Sequence, residues 1–433
     1  MRKTFLTSAI SAAALLLTSC GGDGGSNDFG GTPSPSPSPT PTPSPVDGNG
    51  GAYTAPAQES LTVTDVQTII AQAVGEATAG NVLAVFEMNG ARPTATTSAR
   101  TALGAINNPL VDVQGVEVPA AAGAIAKAVT GAYLSSAGNA FSSRTASQIV
   151  QEHFPPAPTT AGLESGPLFG VQFSQLPCSD FNQRFGNVGT AALIGPKRSP
   201  LGLSADPGGL PLYKNGVVVG AIGVMGDGDY GFDPNILDID DDDEEAIALA
   251  GIQGFAPPAA VTANRISVDG TQLRFSDVVV SDLSPLQSNY AAISGTAGNL
   301  IAVKGYAANV IIAGSAYGTE ASGIRSSTAT EFKNRDAFVL SDGAGTNRFP
   351  IRGATDGASV TTPLTAAETR AILEEAFIIM SRARAQIRQP LDSRAQVSIS
   401  IVDTHGEILG IVRSPDAPIF GTDVSLQKAR TAS

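Results

Sequence analysis

PGGLPLYKNGVVVGAIGVMG, residues 207–226, carries both arms of a β-hairpin and the turn between them. Leu210, Leu212 and Tyr213 supply a short apolar arm. Asn215-Gly216 is a pair that accepts positive φ at both centres of a type I′ turn. Residues 217–224 are almost continuously apolar, as in a strand covered on both faces. Gly208-Gly209, Gly220, Gly223 and Gly226 let another backbone pass close by. No Lys-Ser/Thr helix start follows these glycines, so they do not form a phosphate loop.

Upstream of the hairpin, Thr62-Val63-Thr64-Asp65 has the form of a capping box, with Asp in place of the usual Glu. Val66, Ile69, Ile70, Ala73, Val74 and Ala77 follow at helical spacing, and residues 82–87 read as a strand. The same opening returns at Thr365-Ala366-Ala367-Glu368, with Ile372, Leu373, Ala376, Phe377 and Met380 as the apolar stripe. Val397, Ile399 and Ile401 alternate as a strand, Asp403-Thr404-His405-Gly406 is a turn, and residues 408–412 return. Lys127-Ala128-Val129-Thr130 is paralleled by Lys428-Ala429-Arg430-Thr431. Order and spacing repeat, so the chain reads as two copies of one domain. The first occupies 59–258, with insertions at 89–124 and 155–206, and the second occupies 361–433. A β-rich region, 259–360, connects them. The second copy has no counterpart of 207–226, which would leave an unpaired sheet edge. Truncation is the preferred reading. The alternative is completion by a partner chain or by strand-like sequence at 300–303 and 310–314.

Residues 1–20 read as a lipoprotein signal peptide, with Arg2 and Lys3 ahead of an apolar run at 5–17 and then Leu17-Thr18-Ser19-Cys20. This pattern predicts cleavage before Cys20, lipidation of its thiol and a membrane-anchored chain with a soluble body. Gly21 in place of Asp after the Cys favours the outer membrane. Residues 21–58 read as a disordered tether, and within it 32–45 alternates Pro with Ser or Thr. Cys178 is the only other cysteine, so with Cys20 lipidated no disulfide forms within the chain. The formal charge of −13 over 433 residues argues against nucleic acid and anionic membrane surfaces as partners. A homo-oligomer stays open.

Several of these pieces together resemble the GlcG/HbpS-like (DUF336, "haem-degrading") domains. They are the capped helices opening with Leu-Thr at Leu61 and Leu364, the Val402-Asp403 to Gly406 hairpin, the Lys-Ala-x-Thr helices, Gly208-Gly209-Leu210-Pro211 with the strand at 217–224, and the acidic lead Asp243-Glu244-Glu245 into a helix. The resemblance implies a mixed α/β, profilin-like fold with an antiparallel sheet of about five strands and helices packed on it. It also implies binding of haem or a similar small ligand, without strong catalytic machinery. A non-catalytic interaction module is the alternative function, and an enzyme acting on haem or a small hydroxy acid stands below both. The first copy has Val85-Phe86-Glu87-Met88-Asn89-Gly90 where the Val-Asp-x-x-Gly turn belongs, so the turn's role does not carry over there.

The candidate ligand-binding residues are Lys127, Arg144, Gly208, Gly209 and His405. Arg144 suits an anionic group such as a haem propionate. His405 and His153 are the chain's two histidines. The plain alternatives are a solvated turn for His405 and a dipole partner at a helix end for His153. Asp227, Asp229 and Asp233 are the candidate metal ligands in a Gly-rich loop, where oxygen ligands suit Ca²⁺ or iron. The acids that follow, Asp238 and 240–243, also stabilise the start of a helix expected over 243–254. No Ser-His-Asp order or zinc motif is present.

Overall fold

The computed structural model describes residues 49–77, 82–87, 94–98, 110–151, 153–162, 179–183, 194–286, 289–294, 298–301 and 310–433. For 82–87, 94–98 and 298–299 it describes the backbone alone. The signal peptide with Cys20, the Pro-rich stretch, Cys178 and Phe169–Leu176 lie outside these residues.

The fold is mixed α/β with antiparallel sheets. Helix α1 (Val63–Glu76) leads to strands β1 (Val82–Glu87) and β2 (Thr94–Ser98), then to the small hairpin β3 (Leu110–Val113) and β4 (Val116–Pro119). Helices α2 (Ala120–Leu134), α3 (Ser143–Ile149) and the single turn α4 (Asp180–Gln183) precede the hairpin β5 (Gly209–Lys214) and β6 (Val217–Met225). Helix α5 (Asp243–Gly251), strands β7 (Ser267–Val268) and β8 (Thr271–Gln272), the short α6 (Tyr290–Ile293) and β9 (Gly298–Ile301) follow. Strands β10 (Ile324–Ser326) and β11 (Phe338–Leu340) come next. The chain then runs through α7 (Ala366–Arg382), β12 (Ser398–Val402), β13 (Ile408–Arg413) and α8 (Phe420–Ala432).

The hairpin at 207–226 forms as its sequence requires. Asn215 and Gly216 sit at φ 48° and 79°, and every residue of β6 is buried. The strand order of the first sheet is β5-β6-β1-β2-β9. Ile222 lies against Gly251 of α5, while the next residue, Gly223, faces α2. Successive strand residues point to opposite faces, so β6 is sandwiched between helices. The α2 contact is close: a β-carbon on Gly223 would fall 2.1 Å from the Ala124 carbonyl oxygen and 2.5 Å from the Ala128 nitrogen. Helix α2 is buried along nearly its whole length, including Lys127.

Both expected capping boxes are present. Thr62 and Asp65 exchange hydrogen bonds at α1, and Thr365 and Glu368 do so at α7. On α7 the buried stripe is narrower than the sequence predicts. Leu373, Phe377 and Met380 face inward against Val339, Phe332 and Val412, but Ile372 is 46% exposed.

The second sheet has the order β10-β11-β13-β12. Sequence between the two copies therefore extends it, but through 324–326 and 338–340 instead of the stretches expected. Leu300 and Ile301 pair with β2 of the first sheet, and Gly314 donates a backbone hydrogen bond to Leu61. The likeness between the copies also stops short of topology. After α1, strand β1 pairs on both sides; after α7, strand β12 is an edge and β13 is interior.

Residues 49–53 are docked, within the stretch read as tether. Asn49 accepts from the Arg335 N–H, and the Ala52 and Tyr53 amides donate to the Asp336 carboxylate at 2.7 and 3.2 Å. The Tyr53 ring meets Phe377 edge-on at 6.2 Å, and its hydroxyl donates to the Ala395 carbonyl.

Gly223→Ala is expected to destabilise the protein by about 3 kcal/mol in urea unfolding, because backbone, not a movable side chain, blocks the new methyl. Gly216→Ala, at positive φ in open space, costs about 1 kcal/mol. Equal costs would contradict the close α2–β6 contact.

Candidate functional site

The site is built around the first turn of α5. Asp242 caps the helix by accepting from the Glu245 N–H, and Asp243, Glu244 and Glu245 follow. The remainder of the helix is mostly apolar and packs on β6 and α1. That packing carries Glu244 and Glu245 inside, at 3% and 0% exposure. Adjacent helical residues diverge by about 100°, so the two carboxylates meet different partners.

Glu244 faces α2. Its carboxylate accepts from Lys127 Nζ and from the amides of Gly226 and Asp227. Asp206 lies 2.8 Å from the same Nζ. Gly208 and Gly209 pass between these helices. A β-carbon on Gly208 would lie 3.0 Å from that of Glu244, and one on Gly209 would lie 2.5 Å from the Lys127 carbonyl oxygen. The Gly209 amide donates to Ser143 Oγ at 2.8 Å, which ties the hairpin to α3.

Glu245 faces α3. That helix is fixed by a capping box of Ser142 and Thr145, with the Thr145 hydroxyl donating to the Arg274 carbonyl. Arg144 is fully buried. Its guanidinium meets Glu245 at 3.3 Å, Asp233 at 3.0 Å, Asp240 at 2.8 Å, Asp242 at 3.4 Å and Asp277 at 3.3 Å. Arg274 shares Asp233 and Asp277 at 3.3 and 2.8 Å.

Burial dominates the titration of these acids. It pushes Glu244 up to about 7 from the ordinary 4.5, with Lys127 opposing and Asp227 adding to the shift. Burial likewise raises Glu245 to about 6, against the pull of Arg144. Asp206 is raised for the same reason. Burial alone would lower Lys127, but Asp206 and Glu244 outweigh it and hold the ammonium well above its usual range.

The structure thus brings together Lys127, Arg144, Gly208 and Gly209, and it gives both cations internal carboxylates; at Arg144 these stand where a ligand's anionic group was expected. His405 is elsewhere, exposed in the β12–β13 turn with Nε2 3.4 Å from Ser359 Oγ. His153 is exposed beyond α3. The acidic loop also differs from expectation. Asp227 and Asp229 are exposed, with the Asp229 amide donating to the Asp227 carboxylate. Asp233 instead joins Asp238 and Asp240, with carboxylate oxygens within 4.8 Å of one another. These three could hold a hard cation such as Ca²⁺, although Arg144 already donates to Asp233 and Asp240. Sequence reasoning missed Glu244 and Glu245 as partners of the buried cations. The available signal was an acidic pair entering a helix whose other residues are apolar.

No family model, curated protein or solved structure matches this chain.

The raised acids set a pH dependence. Glu244 and Glu245 hold more protons folded than unfolded between pH 4.5 and their raised values, so stability falls as pH rises from about 4.5 to about 7. The urea midpoint is expected to be higher at pH 5 than at pH 7.5, and Glu244→Gln is expected to flatten the profile. A flat wild-type profile would contradict the burial of these groups.

Proposed function

We propose that this chain is a lipid-anchored cell-envelope protein of the GlcG/HbpS-like kind, whose folded body binds a small ligand without performing chemistry on it. The anchor rests on Arg2-Lys3, the apolar run at 5–17 and Leu17-Thr18-Ser19-Cys20. Among the described residues no helix is long and apolar enough to cross a membrane.

The closure of the ionic site counts against acid–base chemistry by its two cations. Lys127 and Arg144 are both 0% exposed and each is held by carboxylates, so neither offers a proton donor or a free charge to a substrate. A catalytic acid or base must reach the reacting group within hydrogen-bond distance. The profilin-like arrangement belongs to the same proposal. It is supported by the antiparallel order β5-β6-β1-β2-β9 with α2 and α5 packed on it. Haem is the ligand class that the resemblance implies.

The full chain titrated with hemin is expected to show a saturable Soret shift. A spectrum that is the sum of free hemin and protein ends the haem reading. The Cys20→Ser chain is expected to lose metabolic palmitate label and leave the membrane fraction. A wild-type chain that takes up no label would overturn the anchor.

A further inference from the structure

A cavity of about 370 Å³ lies where three separate stretches meet: residues 52–56, the turn after α2 at Ala137 and Gly138, and the segment from α7 to β12 with Asp416 beyond it. Its size falls in the range of small-molecule sites, roughly 300–1,000 Å³. None of the residues discussed for the ionic site lines it.

Two guanidiniums reach this cavity. Arg388 is nine-tenths buried, with its side chain 10% exposed. Nη1 donates to Ser136 Oγ at 2.7 Å, and Nη2 pairs with Asp416. Its Nε is buried and has no hydrogen-bond partner. The group lies flat on Gly138, where a β-carbon would meet Cζ and Nη2 at 2.8 Å. Arg394 donates to the Ser381 carbonyl at 2.8 Å and makes no ion pair among the described residues. Asp416 is the one carboxylate in the lining, and it is engaged by Arg388 and by the Ala137 N–H at 3.1 Å. Gln396 accepts from the Asp416 amide through Oε1, which leaves its NH₂ as a further donor.

The lining therefore carries two cations against one engaged anion, in a chain whose formal charge is −13. The fixed fork of a guanidinium matches the planar oxygens of a carboxylate. One surplus positive charge balances a monoanion, and Tyr53, Pro56 and Pro390 give a carbon skeleton an apolar wall.

We infer that this cavity binds a small organic carboxylate, with Arg394 as its anion-recognising group and Arg388 as the second cation of the lining. The inference rests on the small-ligand half of the function proposed above and supplies a site and a ligand class for it. It is independent of the lipid anchor and of haem.

The test is calorimetric titration of the detergent-solubilised full chain with acetate, succinate, benzoate, inorganic phosphate and neutral acetamide. At least one carboxylate is expected to bind saturably, and acetamide is expected to give no saturable heat. Arg394→Gln weakens that binding tenfold or more, and Arg394→Lys weakens it less, because it keeps the charge without the fork. Arg384→Gln, at an exposed arginine paired with Asp392, leaves it unchanged. Gly138→Ala, whose new methyl displaces the Arg388 guanidinium, weakens it too. If Arg394→Gln fails to fold by circular dichroism, the lysine and Gly138 variants decide. Saturable binding to no carboxylate, binding to phosphate alone, or unchanged affinity in the variants that do fold would overturn the inference. In each of those cases the palmitate and hemin results would still stand on their own.

Discussion

Two buried cations, Lys127 on α2 and Arg144 on α3, are held by consecutive glutamates on α5, and the packing of the first sheet depends on that arrangement. Helix α2 crosses β6 so closely that its surroundings are almost dry. A lysine there would unfold the core unless its charge were met. Glu244 and Asp206 meet it, and Glu245 with its neighbouring aspartates does the same for Arg144. Replacing such groups with apolar residues is often neutral, whereas removing one partner alone leaves an uncompensated charge and costs about 3–5 kcal/mol.

The arrangement also accounts for the glycines of the opening hairpin. Gly209 and Gly223 bring backbone against α2 where side chains would collide, and Gly208 lets the chain pass beside Glu244. The same closeness that admits β5 and β6 keeps water from Lys127. The cations of this site are met by internal carboxylates, and among the described residues a cavity lies where residues 52–56 meet the turn after α2 and the segment from α7 to β12.

Much of the local structure was legible in the sequence because its causes are local. The Asn215-Gly216 turn, the β1 boundaries and both capping boxes follow from dipeptide chemistry and short-range spacing. What was not legible depends on distant residues. The partners of Arg144 come from positions 233, 240, 242, 245 and 277, and an acidic run reads equally well as a solvated face. Strands β10 and β11 span three residues each, too short for alternation to show, so the completion of the second sheet was misplaced. In residues 49–58 the composition is that of a linker, and Tyr53 alone carried a packing signal.

The buried cations and the α5 glutamates act as units. A double-mutant cycle on Arg144→Met and Glu245→Gln, read by urea unfolding at pH 7.5, measures that coupling. The two changes are expected to be non-additive, with a coupling of about 2 kcal/mol or more. Additive costs would contradict it.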